Sequence, residues 1–314
     1  MANIATRDAY GEALVEFGAD NDFIVLDADL SKSTKTDTFR QVYPDRFINC
    51  GIAEGNMMDV AAGIASTGKI VFASSFAMFA AGRAYEQVRN GIAYPRQNVK
   101  ICASHAGLSV GEDGATHQCN EDLALMATIP NMLVLCPCDA GSTRSCIKAA
   151  IEYDGPVYVR LGRLTVPEIY DRFCDLDIIG KSTTINEGTD VTIIATGLMV
   201  HETLKAVKIL EQEGIKARVI DMYSIKPIDK DAIIKAATET GCIVTVEEHT
   251  IYGGLFSIVS GVVVENKPVP VLPVAVMDKF GRSGKVPEVL SAYGLTPENI
   301  VSTVKKAISL KNNR

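Results

Sequence analysis

The chain has 314 residues, of which 47% are hydrophobic, and its formal net charge is −7. This apolar content excludes an intrinsically disordered chain, and the length is sufficient for two domains of ordinary size. The negative charge, without any cluster of Lys and Arg, argues against a nucleic-acid-binding protein.

The first half of the chain alternates helical and strand patterns. Apolar residues at helical spacing predict a helix at 6–18, and an uninterrupted apolar run predicts a strand buried on both faces at 23–27. Further strands are predicted at 46–49, 69–73, 99–103, 132–135 and 157–161, and further helices at 54–66, 77–91, 119–128 and after an N-cap at Asp139. Such alternation predicts a mainly parallel sheet with helices on both faces.

The alternation stops after residue 165 and resumes after residue 188. We therefore predict a first domain at 1–165, a linker at 166–188 and a second domain at 189–314. In the second domain, strands are predicted at 191–195, 217–221, 242–246 and 270–276, and helices at 199–213, 229–238, 254–264 and after Thr296. We expect an α/β protein made of two three-layer α/β/α domains.

The cysteines do not form a recognisable metal motif. The chain has eight of them, without a C-x-x-C motif, and the closest pair, Cys136 and Cys138, is interpreted as the end of a strand. No metal ligands are predicted. No basic segment followed by an apolar stretch begins the sequence, and no apolar run is long enough to cross a membrane. We expect a reduced, cytoplasmic protein that does not bind membranes.

The segment 104–118 is the strongest candidate for a functional loop. It holds two of the four histidines, His105 and His117, together with Glu112, Asp113 and three glycines. A loop of ~15 residues between compact elements is usually functional. This combination of titratable groups and flexible backbone predicts part of an active site.

Other candidates have plausible structural explanations when each is considered alone. Glu54 begins a predicted helix, where an acidic residue often serves only the helix dipole. Phe76 and Phe79 follow a predicted strand and are consistent with core packing. Arg163 follows another strand and could bind a phosphate or carboxylate through two hydrogen bonds. Without a recognised nucleophile or metal motif, we expect a bound cofactor to carry out the difficult chemistry.

Together these residues resemble the pyrimidine-binding and C-terminal domains of the transketolase family. The matching runs are A-D-L-S-K-S at 28–33, G-I-A-E at 51–54, S-F-A-M-F at 75–79, G-E-D-G-A-T-H-Q at 111–118, the arginine of L-G-R at 161–163, and D-K-F-G-R-S-G at 278–284. The resemblance covers nearly the whole chain, and the runs occur in the family's order. It implies a thiamine diphosphate-dependent transferase that moves a two-carbon ketol unit between sugar phosphates.

The resemblance also implies roles for individual residues. Glu54 matches the glutamate that hydrogen-bonds N1′ of the cofactor's aminopyrimidine. Phe76 matches the aromatic residue that stacks on that ring, and Phe79 would lie beside it. Asp29 matches a residue near the thiazolium. His117 matches the histidine at the reacting carbonyl, where it can stabilise developing oxyanion charge. Substrate-binding positions are matched by Arg7, Ser33, His105 and Arg163 for the phosphate, and by Asp113 for a substrate hydroxyl.

Some features depart from the transketolase pattern and leave alternatives open. Ala53 and Gly55 flank Glu54 where transketolases have Arg and His, and this form, together with R-A-Y-E-Q at 83–87, is similar to deoxyxylulose-phosphate synthase. A second alternative is the β subunit of a 2-oxoacid dehydrogenase, which has the same two-domain layout. A third is a non-catalytic scaffold subunit that has lost its site.

The family's Mg²⁺- and diphosphate-binding motif, G-D-G, does not occur in this sequence. The resemblance therefore implies the C-terminal subunit of a split transketolase. A separate N-terminal subunit would bind the diphosphate through Mg²⁺ or Ca²⁺, and the cofactor would be shared between subunits. We expect a homodimer of this chain at the core of an α2β2 heterotetramer.

Overall fold

The computed structural model describes residues 3–313. The strands are β1 Ile4–Ala5, β2 Phe23–Asp27, β3 Phe47–Asn49, β4 Ile70–Phe76, β5 Val99–Ser104, β6 Leu133–Leu135, β7 Val157–Arg160, β8 Thr165–Val166, β9 Thr183–Asn186, β10 Val191–Ala195, β11 Ala217–Asp221, β12 Ser224–Lys226, β13 Ile243–Thr250 and β14 Val271–Val276. The α-helices are α1 Thr6–Gly18, α2 Ser31–Thr34, α3 Thr36–Val42, α4 Glu54–Ala65, α5 Tyr85–Gln87, α6 Asp122–Ala127, α7 Ala140–Glu152, α8 Met199–Gln212, α9 Lys230–Thr240, α10 Leu255–Asn266, α11 Val286–Ala292 and α12 Pro297–Asn312. Turns of 3₁₀-helix lie at Pro44–Arg46 and Leu108–Asp113, and π-helix at Met78–Arg83 and Val88–Ala93.

Within the described residues, the first large sheet has seven strands in the order β12-β6-β7-β5-β4-β2-β3. All neighbours pair in parallel except β12, which is antiparallel to β6. The carboxyl ends of the parallel strands meet at one edge, and in such sheets that edge usually carries the ligand site. Phe76 and Ser104 are paired at this edge of β4 and β5.

The second large sheet has five strands in the order β14-β13-β10-β11-β9, of which only β9 is antiparallel to its neighbour. Its core is continuous with that of the first sheet: one buried cluster contains Leu26, Met57 and Tyr158 together with Ile194 and Leu255. Apolar packing thus joins the two halves of the chain. The α/β class and the mainly parallel sheets predicted from the sequence are confirmed.

Helices cover both faces of the first sheet, because the strand residues alternate between two cores. Phe23 and Val25 of β2 pack in a cluster with Tyr10 of α1 and Ile147 of α7. Leu26, on the opposite face of the same strand, belongs to the cluster that includes residues of α4. This arrangement explains why the strands are apolar runs rather than alternating sequences.

Some details differ from the sequence predictions. The predicted helix at 77–91 is wound as π-helix over most of its length. Segment 104–118 contains 3₁₀ turns and is not structureless. Strand β12, which lies within the predicted second domain, pairs antiparallel with β6 of the first sheet.

Helix α7 begins with a capping box, as the N-cap prediction at Asp139 implies. The Asp139 carboxylate accepts the backbone N–H of Ser142 at 2.9 Å, and its other oxygen accepts the N–H groups of Ile169 and Tyr170 at 2.7 and 2.8 Å. Asp139 is fully buried. One side chain therefore starts the helix and also holds the segment that follows β8.

Replacing Asp139 with alanine should lower the free energy of unfolding by roughly 2–4 kcal/mol, because it removes an N-cap and leaves buried N–H donors without an acceptor. Thr296→Ala is the matched control. Its hydroxyl oxygen caps α12 by accepting one exposed hydrogen bond from the Asn299 N–H at 3.4 Å, so its loss should cost about 0.5–1 kcal/mol. Urea unfolding of both variants measures the difference, and equal losses would contradict this account.

Candidate active site

Glu54 lies at the first turn of α4, close to the carboxyl edge of the first sheet. It is 2% exposed, and Arg83 Nη1 donates a hydrogen bond of 2.8 Å to its Oε2. Within residues 3–313, no group donates to Oε1. The positive end of the helix dipole and the arginine both stabilise the carboxylate at this buried position. One carboxylate oxygen thus remains available to a ligand.

Two phenylalanine rings lie beside this ion pair. Phe76 ends β4 and Phe79 follows in the π-helical segment, and their rings are nearly parallel, with an interplanar angle of 16° and centroids 6.1 Å apart. The guanidinium of Arg83 lies 4.5 Å from the Phe79 ring centroid. The π-helical segment therefore carries a phenylalanine and the arginine that pairs with Glu54, which is typical of π-helix at functional sites.

The two histidines of the 104–118 segment extend this aromatic group. The His105 ring stacks on Phe76 with centroids 3.8 Å apart. The His117 ring meets Phe79 edge-on at 5.3 Å with an interplanar angle of 76°. These four rings, which we call the aromatic row, come from distant parts of the sequence: Phe76, Phe79, His105 and His117.

A basic group adjoins the same row. Arg7 Nη1 donates to the backbone oxygen of Ser33 at 3.1 Å and to His105 Nε2 at 3.0 Å. Arginine can only donate, so Nε2 is the acceptor and the His105 proton resides on Nδ1. Nδ1 then donates to Ser104 Oγ at 2.8 Å. Burial, with the nearby Arg7 and Arg163 charges, lowers the pKa of His105 to about 3.

Arg163 completes the basic group. Its Nη1 donates to the backbone oxygen of Val110 and lies 3.3 Å from the Glu112 carboxylate. Nearby, Arg7 Nε is buried without a hydrogen-bond partner in the described part of the chain. An orphaned buried N–H donor beside a second arginine is the arrangement that a phosphate oxygen would satisfy.

Two predicted site residues stand apart from these contacts. Asp29 is exposed, has a φ of 65° and accepts a hydrogen bond from Asn49 Nδ2 at 3.0 Å. Asp113 is also exposed, and within residues 3–313 it forms no side-chain hydrogen bond. Their predicted roles near the cofactor and the substrate hydroxyl therefore stay predictions.

Sequence reasoning missed two residues that organise this site. Arg83 was noticed only as part of a family motif, although it pairs directly with Glu54. Asp27 is fully buried at the end of β2 and accepts hydrogen bonds from Thr34 Oγ1 at 2.6 Å and from Thr36 Oγ1 at 2.9 Å. It thereby fixes the segment that contains Ser33. The signal for Asp27 was a charged residue at the end of an otherwise apolar strand.

An open groove of about 610 Å³ begins at Phe79 and Arg83. Residues of the loop after β14 also line this groove, among them Phe280, which is 92% exposed. Among residues 3–313, no group of three or more His, Cys, Asp or Glu side chains could hold a metal ion. In the same part of the chain, no helix combines the length and apolar composition needed to cross a membrane.

The structure is a mainly parallel α/β fold in which aromatic and basic side chains gather at the carboxyl edge of the first sheet. Sequence models of the transketolase pyrimidine-binding domain and of the transketolase C-terminal domain match residues 2–168 and 180–300. The chain belongs to the transketolase family, a family of thiamine diphosphate-dependent transferases.

Individual relatives agree with this assignment. A solved structure described as a split gene transketolase, inactive β4 tetramer, is 52% identical, with a TM-score of 0.90 over 99% of this chain and 100% of that one. The apulose-4-phosphate transketolase of Phocaeicola vulgatus has a subunit that is 42% identical over 96% of this chain and 98% of its own length. Rat (Rattus norvegicus) transketolase is 39% identical over 98% of this chain but only 49% of its own length.

The imidazole of His105 should stay neutral in mildly acidic solution. Its pKa of about 3 lies below the ~6.5 of an unfolded histidine, so the unfolded chain binds the proton more readily. The stability contribution of this neutral imidazole is complete above pH ~6.5 and is lost as the pH falls toward 3. In ¹⁵N-histidine NMR, the His105 ring signals, assigned with His105→Gln, should not move between pH ~8 and ~5. A titration midpoint above pH ~5 would refute this placement of the proton.

Proposed function

We propose that this chain is the C-terminal subunit of a split transketolase, which moves a two-carbon ketol unit between sugar phosphates. Glu54 carries the proposal, because a buried carboxylate with one free oxygen beside aromatic rings fits the aminopyrimidine half of thiamine diphosphate. When bound, that cofactor supplies the nucleophilic carbon of the reaction. We propose a cytoplasmic location.

Glu54 would hold and return a proton at N1′ of the aminopyrimidine. Arg83 keeps one of its oxygens hydrogen-bonded, which directs the other oxygen to the ligand. Phe76 would stack on the aminopyrimidine with Phe79 beside it, Asp29 would lie near the thiazolium, and these groups would exclude water from the reacting atoms. His117, at the edge of the Phe79 ring, would donate a hydrogen bond to oxyanion charge at the substrate carbonyl.

The substrate phosphate would bind at the basic group of Arg7, Ser33, His105 and Arg163. Arg7 and Arg163 bring positive charge, and Arg7 Nε is a buried donor with no partner among the described residues. His105 would donate nothing through Nε2, since that atom accepts from Arg7. Its contribution would be to fix the Arg7 guanidinium, and Asp113 would accept from a substrate hydroxyl.

A separate N-terminal subunit would complete the enzyme. The chain lacks G-D-G and aligns with only 49% of rat transketolase, and the related split-gene transketolase structure is described as an inactive β4 tetramer. The partner would hold the diphosphate through Mg²⁺ or Ca²⁺, with the cofactor shared between the subunits. We propose an α2β2 heterotetramer built on a homodimer of this chain.

The transketolase names of the relatives favour this function over a deoxyxylulose-phosphate synthase or the β subunit of a 2-oxoacid dehydrogenase. The basic group points the same way, because a 2-oxoacid enzyme has no use for two arginines and a fixed histidine at the substrate. A non-catalytic scaffold would have no reason to keep a buried, arginine-paired Glu54.

The purified chain alone should have no ketol transferase activity, and adding an N-terminal transketolase subunit with thiamine diphosphate and Mg²⁺ should restore it. Glu54→Gln in the same mixture should turn over at least ~10²-fold more slowly, because a positioned acid–base group is lost. Coupled assays of ketol transfer measure both effects. Full activity of the lone chain would disprove the split-subunit proposal, and near-normal turnover of Glu54→Gln would remove this residue from the chemistry.

Arg163→Ala should raise KM for a phosphorylated aldose about ten- to a hundredfold, because one charge-assisted contact to the phosphate is lost. It should change KM far less for glycolaldehyde, which has no phosphate. Arg163→Lys should recover only part of the loss, since a lysine cannot form two parallel hydrogen bonds. Since Arg163 also binds the Val110 carbonyl, equal losses on both substrates would assign it a purely structural role.

A further inference from the structure

A buried glutamate of the second domain contacts the 104–118 segment. Glu248 of β13 is 3% exposed, and its carboxylate accepts hydrogen bonds from the backbone N–H of Ser109 and, at 3.1 Å, from Ser109 Oγ. Its backbone oxygen accepts from Arg160 Nη2 at 2.9 Å. Burial raises the pKa of the Glu248 carboxyl to about 7, and the Arg160 charge opposes that rise.

The backbone of the segment approaches this carboxylate very closely at Gly107. Gly107 has a φ of 80°, and a Cβ atom built there would overlap the carboxyl group of Glu248. The contact therefore requires glycine both for its conformation and for the space. No other residue type would let Glu248 reach the N–H of Ser109 without a shift of the backbone.

The second domain also holds the far end of the segment. Gln118 Nε2 donates to the backbone oxygens of Leu108 and Gly111 and to that of Arg282, at 3.1, 3.2 and 3.0 Å. The loop around Ser283 packs against Gly114. The segment between these two attachments carries Val110, whose carbonyl accepts from Arg163. His105 lies just before the first attachment, and His117 lies directly before Gln118.

We infer that Glu248 is a positioning residue: through Ser109 and Gly107 it fixes the segment that presents His105, Asp113 and the Arg163 contact to the substrate. This inference rests on the proposed sugar-phosphate site and gives the second domain a part in substrate binding. Glu248 is not among the residues proposed to contact substrate or cofactor. Its effect passes through the backbone of residues 107–110.

Three variants separate positioning from simple loss of stability. Glu248→Ala removes both hydrogen bonds to Ser109, whereas Glu248→Gln retains an acceptor for the N–H and an amide that can donate to the hydroxyl. Glu247→Ala is the matched control. Glu247 is the neighbouring buried residue of β13, but its carboxylate accepts from Leu255 N and Phe256 N at the start of α10, on the other face of the strand.

The first measurement is hydrogen–deuterium exchange of the full chain, which does not depend on activity. Glu248→Ala should raise exchange of amides 105–113 about tenfold, because the buried Ser109 N–H loses its acceptor. Glu248→Gln should exchange close to the natural protein, and Glu247→Ala should affect α10 instead. If Glu248→Ala does not fold, Ser109→Ala, which removes only the hydroxyl, should produce a smaller rise in the same amides.

The second measurement is kinetic, in the complex with the N-terminal subunit. Glu248→Ala should raise KM for the phosphorylated substrate about tenfold while kcat changes less than about threefold, and Glu248→Gln should restore KM. Unchanged exchange at 105–113, an equal effect of Glu247→Ala there, or failure of Glu248→Gln to restore KM would overturn the inference. If the natural complex has no ketol transferase activity, the proposed function fails, and the exchange data alone decide whether Glu248 fixes the segment.

Discussion

The structure depends on one buried arginine that joins the two domains. Arg160, at the carboxyl end of β7, donates through Nε to both carboxylate oxygens of Asp122 and through Nη2 to the backbone oxygen of Glu248. It is 6% exposed, and Asp122 is fully buried. An unpaired charge in this position would be strongly destabilising, by ~3–5 kcal/mol, so the first sheet and α6 must adopt one relative position for the pair to form. The hydrogen bond from Arg160 to the Glu248 backbone oxygen then ties β13 to the same place. Other contacts between the two domains, such as that of Glu248 with Ser109, depend on this relative position.

The site follows from the same constraint. His105 follows the end of β5, next to β7, and the segment after it is tied by the hydrogen bond from Arg163 to Val110 to the residues that follow β7. Because burial keeps His105 neutral, its Nε2 can accept a hydrogen bond from Arg7. This bond holds the Arg7 guanidinium beside the His105 ring. A charged histidine there would repel Arg7 and Arg163 instead. Burial and the nearby arginine charges thus make this histidine a fixed acceptor for Arg7.

A comparison of Glu54 and His105 explains how far sequence reasoning could go. Glu54 begins a predicted helix, and its position followed from local patterns, but its partner Arg83 lies on a π-helical segment that apolar periodicity represents as an ordinary helix. The capping residues Asp139 and Thr296 were predictable because a cap is a local hydrogen bond. His105 was recognisable as a candidate, yet its proton position depends on Arg7 and Ser104, which the sequence does not order in space.

The sequence by itself determined the α/β class, the two series of strands and helices, and the family, because these depend on residue periodicity and on motifs within short runs. Tertiary structure alone decided the return of β12 to the first sheet and the contact between Glu248 and Ser109. Each of these two contacts joins residues that are far apart in the chain. Hydrophobic periodicity within a short polar stretch does not indicate which distant residue will contact it. The register of the strands, the burial of their side chains and the pairing of buried charges are set only when the two sheets share one core. The hydrogen bonds of the site depend on that packing.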